Sequence, residues 1–150
     1  MKKIILVLLI ILVAGCNSKK DDKLNFRCIK SIVSENYTYK EVVGYYSYED
    51  GNPSKLIYME DYIPSTKENS LGIINEVISK KQKDLKQYEN ANFNRTTKNN
   101  KIYIDYYIYF NDKNIKLIKD NDKYKKYMKD DLFEPDKFLE DMVINGYICE

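Results

Sequence analysis

The sequence contains no histidine and no tryptophan, and only five glycines and three prolines among its 150 residues. The lack of histidine excludes Ser-His and Cys-His nucleophilic arrangements and removes the commonest protein ligand for zinc, iron and copper. The few glycines form no glycine-rich phosphate loop, and no Cys-x-x-Cys motif supports a redox or zinc pair. We therefore expect no enzyme, no cofactor and no bound metal.

The N-terminus is where the sequence is most informative. Residues 1–3 carry two lysines, residues 4–13 form an uncharged run of Ile, Leu and Val, and the small residues Ala14 and Gly15 precede Cys16. A charged start, a short apolar segment and a small-residue cleavage site are typical of a secretory signal. The apolar run is shorter than the roughly 20 residues that a transmembrane helix needs. We predict that residues 1–15 are a signal peptide.

The stretch Val13-Ala14-Gly15-Cys16 resembles the lipobox of bacterial lipoproteins. The resemblance implies that the Cys16 thiol receives a diacylglyceryl group and that Cys16 becomes the new N-terminus. Two acyl chains hold a protein stably on a bilayer, so the chain is expected on the extracellular face of the cell membrane. Residues 16–23 are polar and charged, which predicts a flexible tether. The alternative to lipid attachment is a secreted or single-span protein in which Cys16 has no such role.

Charge argues against nucleic acid as a partner. Removal of residues 1–15 takes away Lys2 and Lys3 and leaves equal numbers of basic and acidic residues. Phosphate binding needs a clustered positive excess. Arg27 and Arg95 are the only arginines, while Lys, Asn, Ile and Tyr are abundant. This composition indicates an AT-rich genome, and hence a low-GC Gram-positive bacterium or a wall-less relative.

The remaining cysteines, Cys28 and Cys149, lie near the two ends of residues 24–150. In an exported chain an even pair favours a disulfide. The alternative is two unpaired buried thiols.

Residue periodicity predicts hairpins and helices. A strand is expected at 24–33, and residues 37–63 are expected to form a hairpin around the turn residues 50–53. A capping-box pattern at 65–68 and apolar residues at three- and four-residue intervals predict one long amphipathic helix over about 66–89.

The rest of the chain predicts a second hairpin at 93–110 and a short strand at 115–118. A short helix is expected to begin at Glu134-Pro135 and to end near Gly146. Residues 24–150 are therefore predicted to form a single extracellular α+β domain, with a mainly antiparallel sheet, the long helix on one face and a short C-terminal helix.

This layout resembles the small YehR-like bacterial lipoproteins. The features that carry the resemblance are the lipobox, the tether, the strands on either side of the helix at 66–89, and the ending Gly146-Tyr147-Ile148-Cys149. The family has no assigned activity, so the resemblance implies a lipid-anchored envelope protein and transfers no catalytic residues.

Acidic residues provide two weaker hypotheses. Glu60, Asp61 and Asp105 lie on predicted strands and could serve as paired carboxylates of a hydrolase that acts on glycan or cell-wall material. Residues 120–122 and 130–131 offer oxygen ligands for calcium, but the central glycine of the calcium-loop motif is missing. The alternative in both cases is solvated surface charge.

Tyrosine is unusually common, with 15 copies. Alternation places Tyr103, Tyr107 and Tyr109 on one sheet face, where an apolar ring with a polar tip suits binding. The alternative is that these rings only fill half-buried strand positions. The sequence therefore favours a non-enzymatic lipoprotein that binds an extracellular peptide, protein or glycan or has an accessory role in the envelope, with the carboxylate-dependent hydrolase as the second hypothesis.

Overall fold

A computed structural model describes residues 21–150, and the predicted signal peptide and Cys16 lie outside them. The strands are β1 (Asp22–Val33), β2 (Tyr37–Tyr48), β3 (Pro53–Pro64), β4 (Asn94–Lys98), β5 (Lys101–Tyr109), β6 (Met128–Lys129), β7 (Leu132–Phe133) and β8 (Ile148–Cys149). The helices are α1 (Ser70–Leu85), α2 (Asp112–Asp120) and α3 (Pro135–Ile144), with a 3₁₀ turn at Lys125–Tyr127. The fold is α+β, as predicted, and its six-stranded antiparallel sheet has the order β4-β5-β3-β2-β1-β8.

The hairpin predicted at 37–63 is confirmed as β2 and β3. Its turn follows the local chemistry, because the Asp50 carboxylate accepts a hydrogen bond from the backbone of Asn52 at 3.1 Å. Gly51 then adopts a φ of 83°, which glycine tolerates best. The predicted second hairpin is also present as β4 and β5, with both Asn99 and Asn100 in the left-handed region at its turn.

Alternation along the strands gives the sheet an inner face and an open face. The inner face carries the apolar core, including Val43, Leu56 and Ile104, and the buried sides of the helices pack on it. The open face carries the intervening residues, and those of β5 are exposed or half-buried. No helix among residues 21–150 contributes to a core on this second face. The sheet therefore has one face toward the helices and one toward solvent.

The prediction of one long helix over 66–89 is wrong, since α1 covers only Ser70–Leu85. The Ser65 hydroxyl accepts a hydrogen bond from the backbone of Lys67 instead of capping a helix. The helix starts only after Asn69, which has a φ of 64°. At the other end, Tyr88 leaves the helical path and packs into the core. Local turns at both ends therefore make the helix shorter than the amphipathic pattern predicts.

The strand predicted at 115–118 is also wrong, because these residues belong to α2. Asn111 caps this helix by accepting a hydrogen bond from the backbone of Asn114 at 2.8 Å. The Asn114 amide is fully buried and bonds to both backbone groups of Glu89. An N-cap and a buried polar anchor therefore decide the conformation of this segment.

Both ends of the described chain join the same edge of the sheet. Strand β1 begins at Asp22, so Asp22 and Lys23 belong to the sheet although the sequence placed them in the tether; Asp22 pairs with Lys55 at 2.7 Å. Helix α3 has Pro135 in its first turn, as predicted, and the chain then returns so that β8 pairs with β1. A disulfide joins Cys28 to Cys149. None of the helices in residues 21–150 is long and apolar enough to cross a membrane.

Candidate functional site

Tyr103, Tyr107 and Tyr109 lie on the open face, which is where alternation placed them. Tyr103 is 37% exposed, and Tyr107 and Tyr109 are half-buried. The rings of Tyr107 and Tyr109 are parallel within 18°, with centroids 6.1 Å apart. Because this spacing is close to the rise of two strand residues, the rings stand side by side off the sheet. Each ring is partly exposed to solvent.

Apolar side chains extend this tyrosine row across the open face. Met59 is 43% exposed on β3 opposite Asp105, and Ile57 lies opposite Tyr107. On β2, the ring of Tyr46 covers Gly44, where an added Cβ would lie 3.2 Å from the ring. The open face therefore presents apolar and aromatic side chains on three strands, interspersed with Asp61 and Asp105.

The three carboxylates proposed for hydrolysis do not meet. Asp61 and Asp105 are on the open face, opposite Tyr103 and Met59 respectively. Asp105 accepts a hydrogen bond from the Asn94 amide at 2.8 Å. Glu60 points to the inner face and is completely buried. The thickness of the sheet thus separates Glu60 from the other two.

Glu60 is instead the centre of a buried polar network. The Lys81 ammonium of α1 donates to both carboxylate oxygens at 2.5 Å. The hydroxyls of Tyr62 and Tyr106 donate to the same carboxylate at 2.9 and 3.0 Å. Three donors and an opposite charge compensate for the loss of water around this acid.

A second buried acid, Glu41, lies directly opposite Glu60 in the register of β2 and β3. It is 7% exposed and accepts a hydrogen bond from the Tyr147 hydroxyl. The residue patterns of the sequence do not single out Glu41. The available signal was the hairpin itself, since a turn centred between Asp50 and Gly51 places residues 41 and 60 opposite each other.

The tyrosines around these acids remain protonated. Burial raises the pKa of Tyr62 above its usual value of 10, and the neighbouring Glu60 carboxylate raises it further. Burial also raises the pKa of Tyr39 and Tyr147, and the charge of Glu41 adds to both effects. These phenols therefore act as neutral hydrogen-bond donors to fixed carboxylates.

A cavity of 320 Å³ opens above this part of the inner face. Glu41, Tyr58 and Tyr147 contribute to its lining from the sheet side, and Phe138 contributes from α3. Lys123 also lines the cavity, and its ammonium lies 4.6 Å from the centroid of the Tyr58 ring. The lining of the cavity therefore contains both a buried carboxylate and aromatic rings.

Two of the four aspartates considered for calcium are paired with lysines. Asp122 pairs with Lys125 at 2.5 Å, and Asp131 pairs with Lys119 at 2.8 Å. The Asn121 side chain bonds to the Tyr88 hydroxyl and to the backbone of Lys123. Within the described part of the chain, no group of three or more acidic or cysteine side chains is arranged to hold a metal ion.

The arrangement of the acids limits the chemistry that they can perform. A glycoside hydrolase needs two carboxylates on either side of a bound sugar. Glu60 has no exposed surface, and its carboxylate already accepts hydrogen bonds from Lys81, Tyr62 and Tyr106. The geometry suits binding, on the open face or in the cavity, better than acid-base catalysis at Glu60.

Comparison of the chain with models of protein families, with characterised proteins and with solved structures found no match.

Proposed function

We propose that this chain is a bacterial surface lipoprotein that binds an extracellular protein through the open face of its sheet. The signal-like segment and the lipobox support export and lipid attachment at Cys16. In this proposal the diacylglyceryl group holds the domain on the extracellular face of the membrane of a Gram-positive or wall-less bacterium. The YehR-like layout is consistent with such an envelope protein.

The exposed aromatic and apolar area around Tyr103, Tyr107 and Met59 is the observation that carries the binding proposal. Apolar patches that stay uncovered on a folded domain frequently mark interaction sites. Tyrosine and methionine are enriched in protein interfaces. These residues lie on the face that the helices leave open, so a partner can reach them without any rearrangement of the core.

The partial burial of the rings favours a protein over a glycan. Sugar stacking uses the exposed flat face of an aromatic ring, whereas Tyr107 and Tyr109 are half-buried. Their edges and hydroxyls are suited to hydrogen bonds and side-chain packing across a protein interface. Lys55, whose ammonium is 5.8 Å from the Tyr109 ring and pairs with Asp22, adds a polar border.

Site-specific photocrosslinking on intact cells tests the proposal. A photoreactive phenylalanine analogue replaces Tyr103 in one variant and Ile144 in another; Ile144 is an apolar control on α3 that is more exposed than Tyr103, at 82% against 37%. We expect a discrete crosslinked protein from position 103 and none from position 144. Adding Tyr107→Glu should abolish that product, because it places a charge within the same area.

Equal crosslinking from both positions, or a product insensitive to Tyr107→Glu, would refute the open face as the interface. The anchor is tested separately with Cys16→Ser. This variant should be released into the medium, and the intact mass of the unchanged chain should show residues 1–15 removed and a lipid added.

A further inference from the structure

The cavity on the inner face holds a buried acid that lacks an ion-pair partner. Glu41 is 7% exposed, and among residues 21–150 no ammonium or guanidinium group lies within ion-pair distance of its carboxylate. Lys81, on the same side of the sheet, is bound to Glu60. Lys30 lies opposite Glu41 on β1, but its ammonium donates to the Asn145 carbonyl at 2.6 Å. A buried carboxylate in this position favours a cation beside it.

The other charges around the cavity have partners of their own. Lys126 pairs with Asp141 at 2.8 Å, and Asp122 pairs with Lys125. Lys123 has no carboxylate partner among the described ion pairs; the residue as a whole is exposed, but its ammonium is buried over the rings of Tyr58 and Tyr124. Lys123 therefore places a positive charge in the cavity near Glu41 without forming an ion pair with it.

The walls are also suited to a cation. The ammonium of Lys123 lies 4.6 Å from the centroid of the Tyr58 ring, and that of Lys30 lies 5.3 Å from the Tyr147 ring. Both distances are within the range of cation–π attraction. The two rings therefore already attract lysine ammoniums that lie at the edge of the cavity.

We propose that this cavity binds a primary alkylammonium group, with the ammonium between Glu41 and the Tyr58 ring in place of the Lys123 ammonium. A primary ammonium can donate to the Glu41 carboxylate and the Tyr147 hydroxyl oxygen, which a quaternary ammonium cannot do. Lys123 acts as an internal occupant that moves into solvent when the ligand enters. The cavity volume of 320 Å³ equals about ten water volumes, which accommodates a short alkyl chain against Phe138.

Titration of the full-length chain in detergent with n-butylammonium, n-butanol and butyrate tests the proposal. The tyrosine ring resonances, assigned by single Tyr→Phe variants, report on the cavity. We expect butylammonium to shift the Tyr58 and Tyr147 resonances saturably, whereas the neutral and anionic analogues leave them unchanged. Equal binding of butanol would show an apolar cavity, and preferential binding of butyrate would show that the rim lysines dominate. Either result overturns the proposal.

Two variants assign the effect to named groups. Glu41→Gln should weaken butylammonium binding roughly tenfold or more, as expected for the loss of a charge-assisted hydrogen bond. Asp105→Asn, on the open face, is the matched control and should bind like the unchanged chain. Lys123→Ala should bind several-fold more tightly because no internal ammonium competes.

Unchanged affinity in Glu41→Gln, or no gain in Lys123→Ala, would refute the site. If Glu41→Gln does not fold, Lys123→Ala and the three ligand analogues still decide the question. The cavity lies on the opposite side of the sheet from the open face, so this experiment and the crosslinking test can fail independently.

Discussion

At the scale of single residues, the paired acids Glu41 and Glu60 are the most unusual feature of the core. They lie opposite each other on adjacent strands, where two like charges repel. Lys81 and two tyrosine hydroxyls offset the charge of Glu60, whereas Glu41 has no ion pair among the described residues and accepts a hydrogen bond from the Tyr147 hydroxyl. We therefore expect substitutions of the residues around each acid to change the free energy of unfolding differently.

Lys81→Met should lower the free energy of unfolding by about 2 kcal/mol. Loss of one partner from a buried pair costs about 3–5 kcal/mol, and the Lys81 side chain is 25% exposed, which reduces that cost. Chemical denaturation measures the change. Lys80→Met, one residue earlier on α1 and exposed, is the matched control and should change stability little.

The double variant Lys81→Met with Glu60→Gln should recover part of that loss, because the carboxylate left without its cation is then neutral. If the double variant is as unstable as the sum of its single changes, the ion pair is not the cause.

The buried phenols predict a loss of stability in alkali. The pKa of Tyr62 is raised above 10 in the folded chain by burial and by Glu60, while in the unfolded chain it ionises near 10. The folded chain thus holds more protons above pH 10, and its stability is full below that pH and falls as pH rises. Each such tyrosine contributes a slope of about 1.4 kcal/mol per pH unit.

Unfolding free energies measured at several pH values above 10 check this expectation. Burial also raises the pKa of Tyr45 and Tyr88 to about 12, so these residues add to the slope. Tyr62→Phe should make the decline less steep, since it removes one ionisable group. A slope that stays the same in Tyr62→Phe would argue against a protonated Tyr62 in the folded chain.

At the scale of secondary-structure elements, a buried amide on α2 bonds to the backbone of the chain before β4. The Asn114 side chain accepts from the Glu89 amide at 2.8 Å and donates to the Glu89 carbonyl at 3.1 Å. Asn114→Ala leaves both groups without partners, so we expect a loss of about 2–4 kcal/mol in the free energy of unfolding. The N-cap variant Asn111→Ala, measured in the same denaturation series, should lose only about 1 kcal/mol.

Equal losses in the two variants would show that α2 needs its cap rather than its link to Glu89. The comparison is informative because both asparagines lie at the first turn of the same helix. Asn111 caps the helix and reaches the Glu89 side chain only through an exposed hydrogen bond of 3.4 Å, whereas Asn114 is buried and bonds to the Glu89 backbone.

Local sequence patterns predicted those elements that local interactions determine. The hairpin at 37–63, the alternation of β5 and helix α3 have turn, periodicity and capping signals that the structure confirms. The segment 115–118 is helical although its pattern predicts a strand, because a short apolar run fits either element. The burial of Asn114 against Glu89 depends on tertiary contact, so the local pattern does not predict it.

The two sites differ in the same way. The tyrosine row of the open face follows from period-two alternation on one strand. The Glu41–Glu60 pair and the cavity depend on strand register and on the return of Tyr147 from the C-terminus. Contacts between residues far apart in sequence are not visible in a local pattern.

At the scale of the whole molecule, the disulfide joins the first and last strands of the sheet. Cys28 and Cys149 are 121 residues apart, and β8 itself has only two residues in its ladder with β1. Arg27 and Glu150 add a pair of backbone hydrogen bonds at 2.8 and 2.9 Å. Such a short strand has little stability of its own, so the covalent bond must retain it at the edge.

The double variant Cys28→Ser with Cys149→Ser should therefore lower the free energy of unfolding by about 2–4 kcal/mol, because a long loop is no longer closed in the unfolded chain. It should also detach β8 before the rest of the sheet unfolds. Amide hydrogen exchange measures this as faster exchange at Glu150 than at the central residues of β2.

Detachment of β8 would also move Tyr147, which precedes it and donates to Glu41. Reduction of the disulfide between Cys28 and Cys149 should then expose Glu41 and alter the cavity. It should not disturb the tyrosine row on the open face. Exchange at Glu150 that matches global unfolding in the Ser variant would show instead that backbone pairing alone retains the C-terminus.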